Sequence, residues 1–540
     1  MEFEISKPIE SKTPSAAAWG DGVPPSVMKP IIPLDRQDMV FFALLAVSVF
    51  LFMDFALYGG LALGFSVAYG ILFILTTVYL AKRRKPVPAF GLFCGILSLA
   101  SAAVPALYHD VFLGGLIVCL TGFLYSIYSG SLCGAFSAAR DLEWLGIWFR
   151  DTVIAPFRHV AEPFRSVGHA VKTAKTAHLG QVLLGLLLAL PVLVLVVPLL
   201  MQADAAYESM MSGLVGHLTG LVPRLILTAL AAPLLISFVF AHRKTLEPPS
   251  VSVRNDRMQI AGAPLLIALL TLVSAVYISY LISQLAYFFS AFSGMLPAGS
   301  GLTSSAYARR GFFELVIISA INLSLLLLVQ LLSRRRENGG IPAAVKGLSL
   351  FIGGFTLLLA ATAFSKMVLY IRLYGMTRLR VLTSVFMMAL AMTLILTLLR
   401  LFFHRFPLVQ SVMAASAVLL VSVAFADVDR FVSVYNVQAY RDGRLKEIDV
   451  VHLGGLSVSA VPAVVQLLDD VDPQVAAEAG TVLRHWTAQL TNESFRAENG
   501  QIIDRRSFSL RSFNLAEERA YELIREHYPR FALSENGDAS

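Results

Sequence analysis

Long apolar runs alternate with short polar interruptions along this chain, and most of the runs share one length. Windows of about 20 residues, enough to cross a hydrocarbon layer as a helix, pick out eleven runs near 39–57, 60–80, 88–108, 111–133, 180–201, 221–241, 261–289, 312–332, 345–365, 381–403 and 408–426. The first two share the tight "YGG" turn at Tyr58–Gly60, and the eleventh is short. The pattern predicts an all-α fold: a polytopic transmembrane helix bundle of about 11 spans with a small C-terminal helical domain. The predicted divisions are a flexible cytoplasmic leader over 1–38, the bundle over 39–426 and a polar helical domain over 427–540.

Composition supports that pattern. The chain is 56% hydrophobic and 15% charged, where soluble domains average about 45–50% and about 25%. A water-soluble chain of this length needs a far more polar surface. The Pro- and Ser-rich leader lacks the basic start, apolar core and small-residue site of a secretory signal. Cys94, Cys119 and Cys133 fall inside apolar runs without ligand spacing, so they are expected to pack as small apolar side chains.

Charge orients the spans. Basic connections follow span two (Ala81–Lys85), span four (Arg140–Lys175), span six (His242–Lys244), span eight (Arg334–Arg336) and span ten (His404–Arg405). Basic loops face the cytoplasm. The N-terminus is then inside, and an odd span count puts the tail outside. From Asp427 onward there are 12 Lys and Arg against 18 Asp and Glu, a net of −6, which leaves 31 against 18, or +13, for the rest. No basic module with interleaved aromatics points to nucleic acid. The loop over 138–179 mixes Trp144, Trp148, Phe149, Phe157 and Phe164 with arginines and lysines, and is expected to lie amphipathically in the anionic headgroup layer.

Two connections break the charge rule. Arg309 and Arg310 precede span eight on the outer side, with Glu314 one helical turn on. Lys366, Arg372, Arg378 and Arg380 fill the outer connection after span nine, and Arg224 is a further exception. Basic side chains at helix ends commonly snorkel, which suits Arg378 and Arg380. Asn322 lies about two turns deeper than Glu314, near the middle of span eight, where a polar group needs an interhelical partner or a cavity. Asp54 lies at the outer level of span one. The candidate site is an outward polar vestibule of Asp54, Arg309, Arg310, Glu314, Asn322, Lys366 and Arg372.

The tail reads as short amphipathic helices: one from Asp427 to Gly443, one capped by Ser457 with Pro462 in its first turn, one starting at Asp472-Pro473, and one capped by Asn514 with Glu517 and ending before Pro529. His452, His485, Asp449 and Glu478 show no metal spacing and sit in no nucleophile motif, so no catalytic residue, metal or cofactor is expected.

"YARRGFFEL" (Tyr307–Leu315), "LYGMTRLRV" (Leu373–Val381) and the series Tyr435-Asn436, Gly443, Asp449, Leu456-Ser457 and Val461-Pro462 carry a family resemblance. The chain resembles, over roughly 230–470, the bacterial membrane family catalogued as domain of unknown function 4173, related to the similar family 4153. It departs at Asp427-Val428, where Asn-Pro is usual, at Val434, where Arg is usual, and at Ser459, where Asp is usual. The resemblance implies a bacterial inner-membrane protein and no particular reaction. The expected function is an envelope binding, sensing or scaffold protein. The alternative is an enzyme or transporter handling a lipid-linked phosphate or another anionic envelope substrate, since outward guanidinium groups suit phosphate. The expected partners are the lipid bilayer, an anionic lipid or lipid-linked phosphate, and a protein met through the C-terminal helices.

Overall fold

A computed structural model describes residues 34–58, 60–81, 87–108, 110–136, 141–173, 196, 199–201, 203–244, 261–293, 312–334, 340–403, 405–490, 497–498, 501–502 and 511–532. The membrane part comprises α1 (Arg36–Met53), α2 (Leu63–Ala81), α3 (Ala89–Ala103), α4 (Val111–Leu132), then the short α5 (Leu142–Phe149), α6 (Ala155–Arg158) and α7 (Ala161–Thr173). It continues with α8 (Ala205–Lys244), α9 (Ala263–Ser293), α10 (Phe312–Leu332), α11 (Ala343–Tyr374), α12 (Arg378–Phe402) and α13 (Leu408–Phe425). The tail holds α14 (Val428–Arg441), α15 (Val450–Gly454), α16 (Val461–Val464), α17 (Pro473–Leu490) and α18 (Leu515–Ala532), with a two-residue hairpin pairing Ala497–Glu498 with Gln501–Ile502.

Ten helices among the described residues are long and apolar enough to cross a membrane, and the chain is an integral membrane protein. The span expected at 180–201 lies almost wholly outside the described residues, as does the leader over 1–33. Helices α4 and α8 run in the same sense. Gly130 near the end of α4 lies close to His242 at the end of α8, while Arg224, further up α8, pairs with Asp54 at the far end of α1.

Several apolar clusters build the bundle among the described residues. One joins α1, α2, α3, α4 and α8 through Phe41, Leu45, Phe65, Phe73, Tyr128 and Phe240. Another joins α9 to α12 through Leu270, Leu326, Ile352 and Leu394. Helix–helix contact in lipid relies on packing and interhelical hydrogen bonds. Accordingly the Tyr69 hydroxyl meets Ser98, and Ser101 meets Thr121, across α2, α3 and α4.

The basic end is closed by α5 to α7. Trp144 is buried against Phe90 and Phe136, and the Trp148 indole donates to the Ser126 hydroxyl at 2.8 Å. This corrects the expectation for the 138–179 loop: its tryptophans pack onto α3 and α4. Only its outer face, with Phe149, Phe157 and Phe164 exposed, presents the aromatic surface expected for headgroups. Arg400 at the end of α12 holds Asp141 with two hydrogen bonds of 2.7 and 2.6 Å, which ties the loop to the second half of the bundle.

At the other end, α11 is longer than expected. Its 32 residues span about 48 Å at 1.5 Å per residue, against about 30 Å of hydrocarbon. The expected connection Ser365–Arg380 is therefore mostly helix, and Lys366 and Arg372 stand on its emerging turns. The tail packs directly on this end. One continuous core runs from Phe355, Leu359, Met367 and Met387 of the bundle through Val432, Leu453, Leu467 and Leu483 to Trp486, Ile524 and Phe531. Helix α18 runs through Pro529 to Ala532, past its expected end. Before it, the chain returns across the bundle. Leu63 and Gly64 donate to the carbonyls of Phe513 and Arg511, and Ala516 donates to that of Leu107. A Cβ at Gly64 would stand 2.7 Å from the Arg511 carbonyl oxygen, so this close crossing requires glycine.

Candidate functional site

The site grows from the three-residue turn between α11 and α12. Gly375 ends α11 at φ +75°, a conformation open to glycine at little cost. Thr377 caps α12 by accepting from the Arg380 amide. Arg380 turns back: its guanidinium donates to the Tyr374 carbonyl at 2.9 Å and lies 4.2 Å over the Tyr370 ring. It therefore satisfies orphan carbonyls at the end of α11, where the sequence suggested snorkelling.

Helix α14 reads this turn with two side chains. The Asn436 amide oxygen accepts from the Met376 N–H at 2.6 Å and its NH2 donates to the Met376 carbonyl at 2.8 Å, an amide paired with one backbone unit. Seven residues earlier on the same helix, buried Asp429 receives two hydrogen bonds from the Arg378 guanidinium. Asp429 also accepts from the Ser457 amide at 2.7 Å. The same guanidinium lies 3.6 Å from Asp110, which caps α4 by accepting from Leu113 N–H at 2.7 Å. Arg378 thus links α4, α12 and α14. Burial alone would raise the Asp429 carboxyl, but the Arg378 and Ser457 hydrogen bonds outweigh it and hold the group below its usual range.

Asp427 ends the membrane part in the left-handed region, φ +48°, and caps α14 through the Arg430 amide. The chain therefore breaks between α13 and α14. Burial pushes the Asp427 carboxyl above its usual range, with the Ser459 hydroxyl offsetting part of the rise. A carboxylate with a raised folded value lowers stability above its unfolded pKa of about 3.9 and ceases to do so once both states are protonated. Asn caps as well as Asp and tolerates this backbone. Asp427→Asn is therefore expected to raise the thermal midpoint in detergent at neutral pH, with the gain vanishing below about pH 4. A gain of equal size at both pH values would show that charge is not the cause.

A second junction lies at the end of α1. Asp54 pairs with Arg224 of α8 at 2.8 Å and with Arg511 of the returning tail at 3.1 Å, while Arg511 also donates to the Asp54 carbonyl at 2.6 Å. Arg511→Ala is expected to speed hydrogen exchange of the Leu63 and Gly64 amides about tenfold, as losing one or two charged hydrogen bonds would. Arg530→Ala, which removes an exposed pair with Asp469, should leave them unchanged.

The expected vestibule residues divide among separate places. Arg309 and Arg310 lie outside the described residues. Asp54 draws its arginines from α8 and the tail, where the sequence matched it with Arg310, Lys366 and Arg372. Glu314 lies within electrostatic reach of Lys366. Asn322, fully buried, accepts from the Tyr277 hydroxyl and donates to the Thr356 hydroxyl at 2.9 Å, stitching α9, α10 and α11 together. Such interhelical bonds contribute about 1 kcal/mol each, and Asn322 is one of these. Arg372 is exposed on a cleft of about 720 Å³ shared with Val368, Ile371, Met376, Tyr435 and Arg444. Sequence reasoning passed over Asp110, Asp429 and Arg511. The signal available was the quoted motif pair, which holds both Arg378 and Asn436. Among the described residues no three His, Cys, Asp or Glu side chains gather as a metal site.

No curated protein and no solved structure matches the chain. The family model described as "Domain of unknown function (DUF4153)" matches residues 92–467. Those residues run from α3 through α4, the α11–α12 turn and α14 into the tail, so they contain the whole Arg378 and Asn436 junction. The resemblance read from the motifs named 4173, with 4153 as its relation; the match is to 4153, and the chain belongs to the DUF4153 family.

Proposed function

We propose that this protein is a binding or scaffold protein of the bacterial cell envelope, seated in the plasma membrane with its acidic tail outside. The observation that carries the reading is the core shared by the bundle and the tail, locked at its edge by the pairing of buried Asp429 with half-buried Arg378. A tail mounted in this way holds a fixed orientation on the membrane surface, which suits a platform for a partner. The orientation is supported by charge: the ends of α2, α8, α10 and α12 from which the sequence continues into basic residues lie opposite the tail.

Val471 is almost fully exposed on the tail. Val471→Cys should react with a membrane-impermeant maleimide in intact cells, and reaction only after permeabilisation would overturn the outward tail. Cross-linking from the same cysteine in native membranes should then recover one discrete adduct. A chain that yields only lipid or self adducts is not a platform for a protein.

A further inference from the structure

We propose that the cleft between α11 and α14 seats the phosphate of an anionic phospholipid, held by Arg372 and Arg444, with an acyl chain along Val368 and Ile371. This deepens the platform reading, and rests on it only for which leaflet supplies the lipid. Val368 and Arg372 are four residues apart on α11 and so share a face, with Ile371 beside them. Along the helix Arg372 stands about 6 Å beyond Val368, which is the order in which a lipid presents its chain and its phosphate.

The charges fit one anion. Arg372 makes no hydrogen bond or ion pair among the described residues, although it sits on the wall of the cleft. Arg444 is held by Asp442 at 2.8 Å and lies 5.8 Å over the Tyr435 ring, which orients its guanidinium at the same cleft. Two guanidinium groups against one carboxylate leave a net positive seat, and guanidinium binds phosphate bidentately. The volume of about 720 Å³ lies within the usual range of ligand sites, about 300–1,000 Å³. The lining residues Val368, Ile371, Arg372, Met376, Tyr435 and Arg444 include no carboxylate or imidazole, so the cleft is equipped to hold an anion, with no acid–base pair to transform it. The contrasting account is that Arg372 snorkels into bulk headgroups without selecting any lipid.

The test uses the full chain in phosphatidylcholine nanodiscs doped with phosphatidylglycerol, counting lipid retained after delipidation by native mass spectrometry. Wild type should retain phosphatidylglycerol. Arg372→Ala and Arg444→Ala should each lower its apparent affinity about tenfold, with Arg372→Lys between. Arg334→Ala, at the opposite end, should bind as wild type does, and all four variants should keep the wild-type melting midpoint without lipid. Wild-type retention by Arg372→Ala would overturn the proposal, as would an equal loss in Arg334→Ala. Displacement of the lipid by glycerol phosphate at low concentration would assign the seat to a free phosphate instead. Nanodiscs expose both faces, so these outcomes do not depend on the maleimide result for the tail.

Discussion

Arg378→Ala is expected to release the C-terminal helices from the membrane bundle. The substitution leaves Asp429, 2% exposed, and Asp110, 8% exposed, without their shared cation. Removing one partner of a buried pair costs about 3–5 kcal/mol. The lower end applies here, because the Arg378 side chain is itself 40% exposed. The loss should appear as faster proteolysis within α14 to α17 and a lower thermal midpoint. The pH dependence has a definite sign. The Asp429 carboxyl is held below its unfolded value, so its contribution is present above about pH 4 and is lost as pH falls through the lower folded value. In Arg378→Ala that acid sensitivity should disappear, and Arg378→Ala with Asp429→Asn should recover part of the stability. If Arg378→Ala proteolyses like wild type, the guanidinium is a bystander and the core alone holds the tail.

Asn436→Ala is expected to loosen the α11–α12 turn itself. The Met376 N–H and carbonyl would lose both partners in a buried setting, at about 1–3 kcal/mol for each unsatisfied group. Asn436→Asp separates the two bonds: it retains an acceptor for the N–H but sets a carboxylate against the Met376 carbonyl. Gly375→Ala attacks the same contact from the opposite side, because its Cβ would approach the Asn436 amide oxygen to 2.9 Å at a φ of +75°. All three should speed hydrogen exchange at Met376. An unchanged Met376 amide in Asn436→Ala would mean the turn holds its shape without the amide.

Residue chemistry explains how far the sequence carried. Apolar runs of helical length are a local property, and ten of the eleven windows correspond to helices among the described residues. Helix caps are equally local. Asp472-Pro473 opens α17 at Pro473, Gly443 closes α14 at positive φ, and Asn514 caps α18 through the Ala516 and Glu517 amides. The site was less legible. Arg372, Arg378 and Arg380 lie within one short stretch and read alike, as basic side chains at a helix end. The first lines a cleft, the second is bound by carboxylates, and the third folds back on the end of the preceding helix, α11.

Asp54 shows why. Its sequence marked it as a polar group at the outer level of a span, but its partner Arg511 is 457 residues away, and no periodicity reports a contact at that separation. The sequence by itself determined that this chain lives in a membrane, where most of its apolar helices lie, and which connections are basic. These follow from hydropathy, capping and charge, all read within a turn or two of helix. Only the tertiary structure decided which arginine meets Asp54, Asp110, Asp141 or Asp429, because those pairs join elements whose relative position is set by packing.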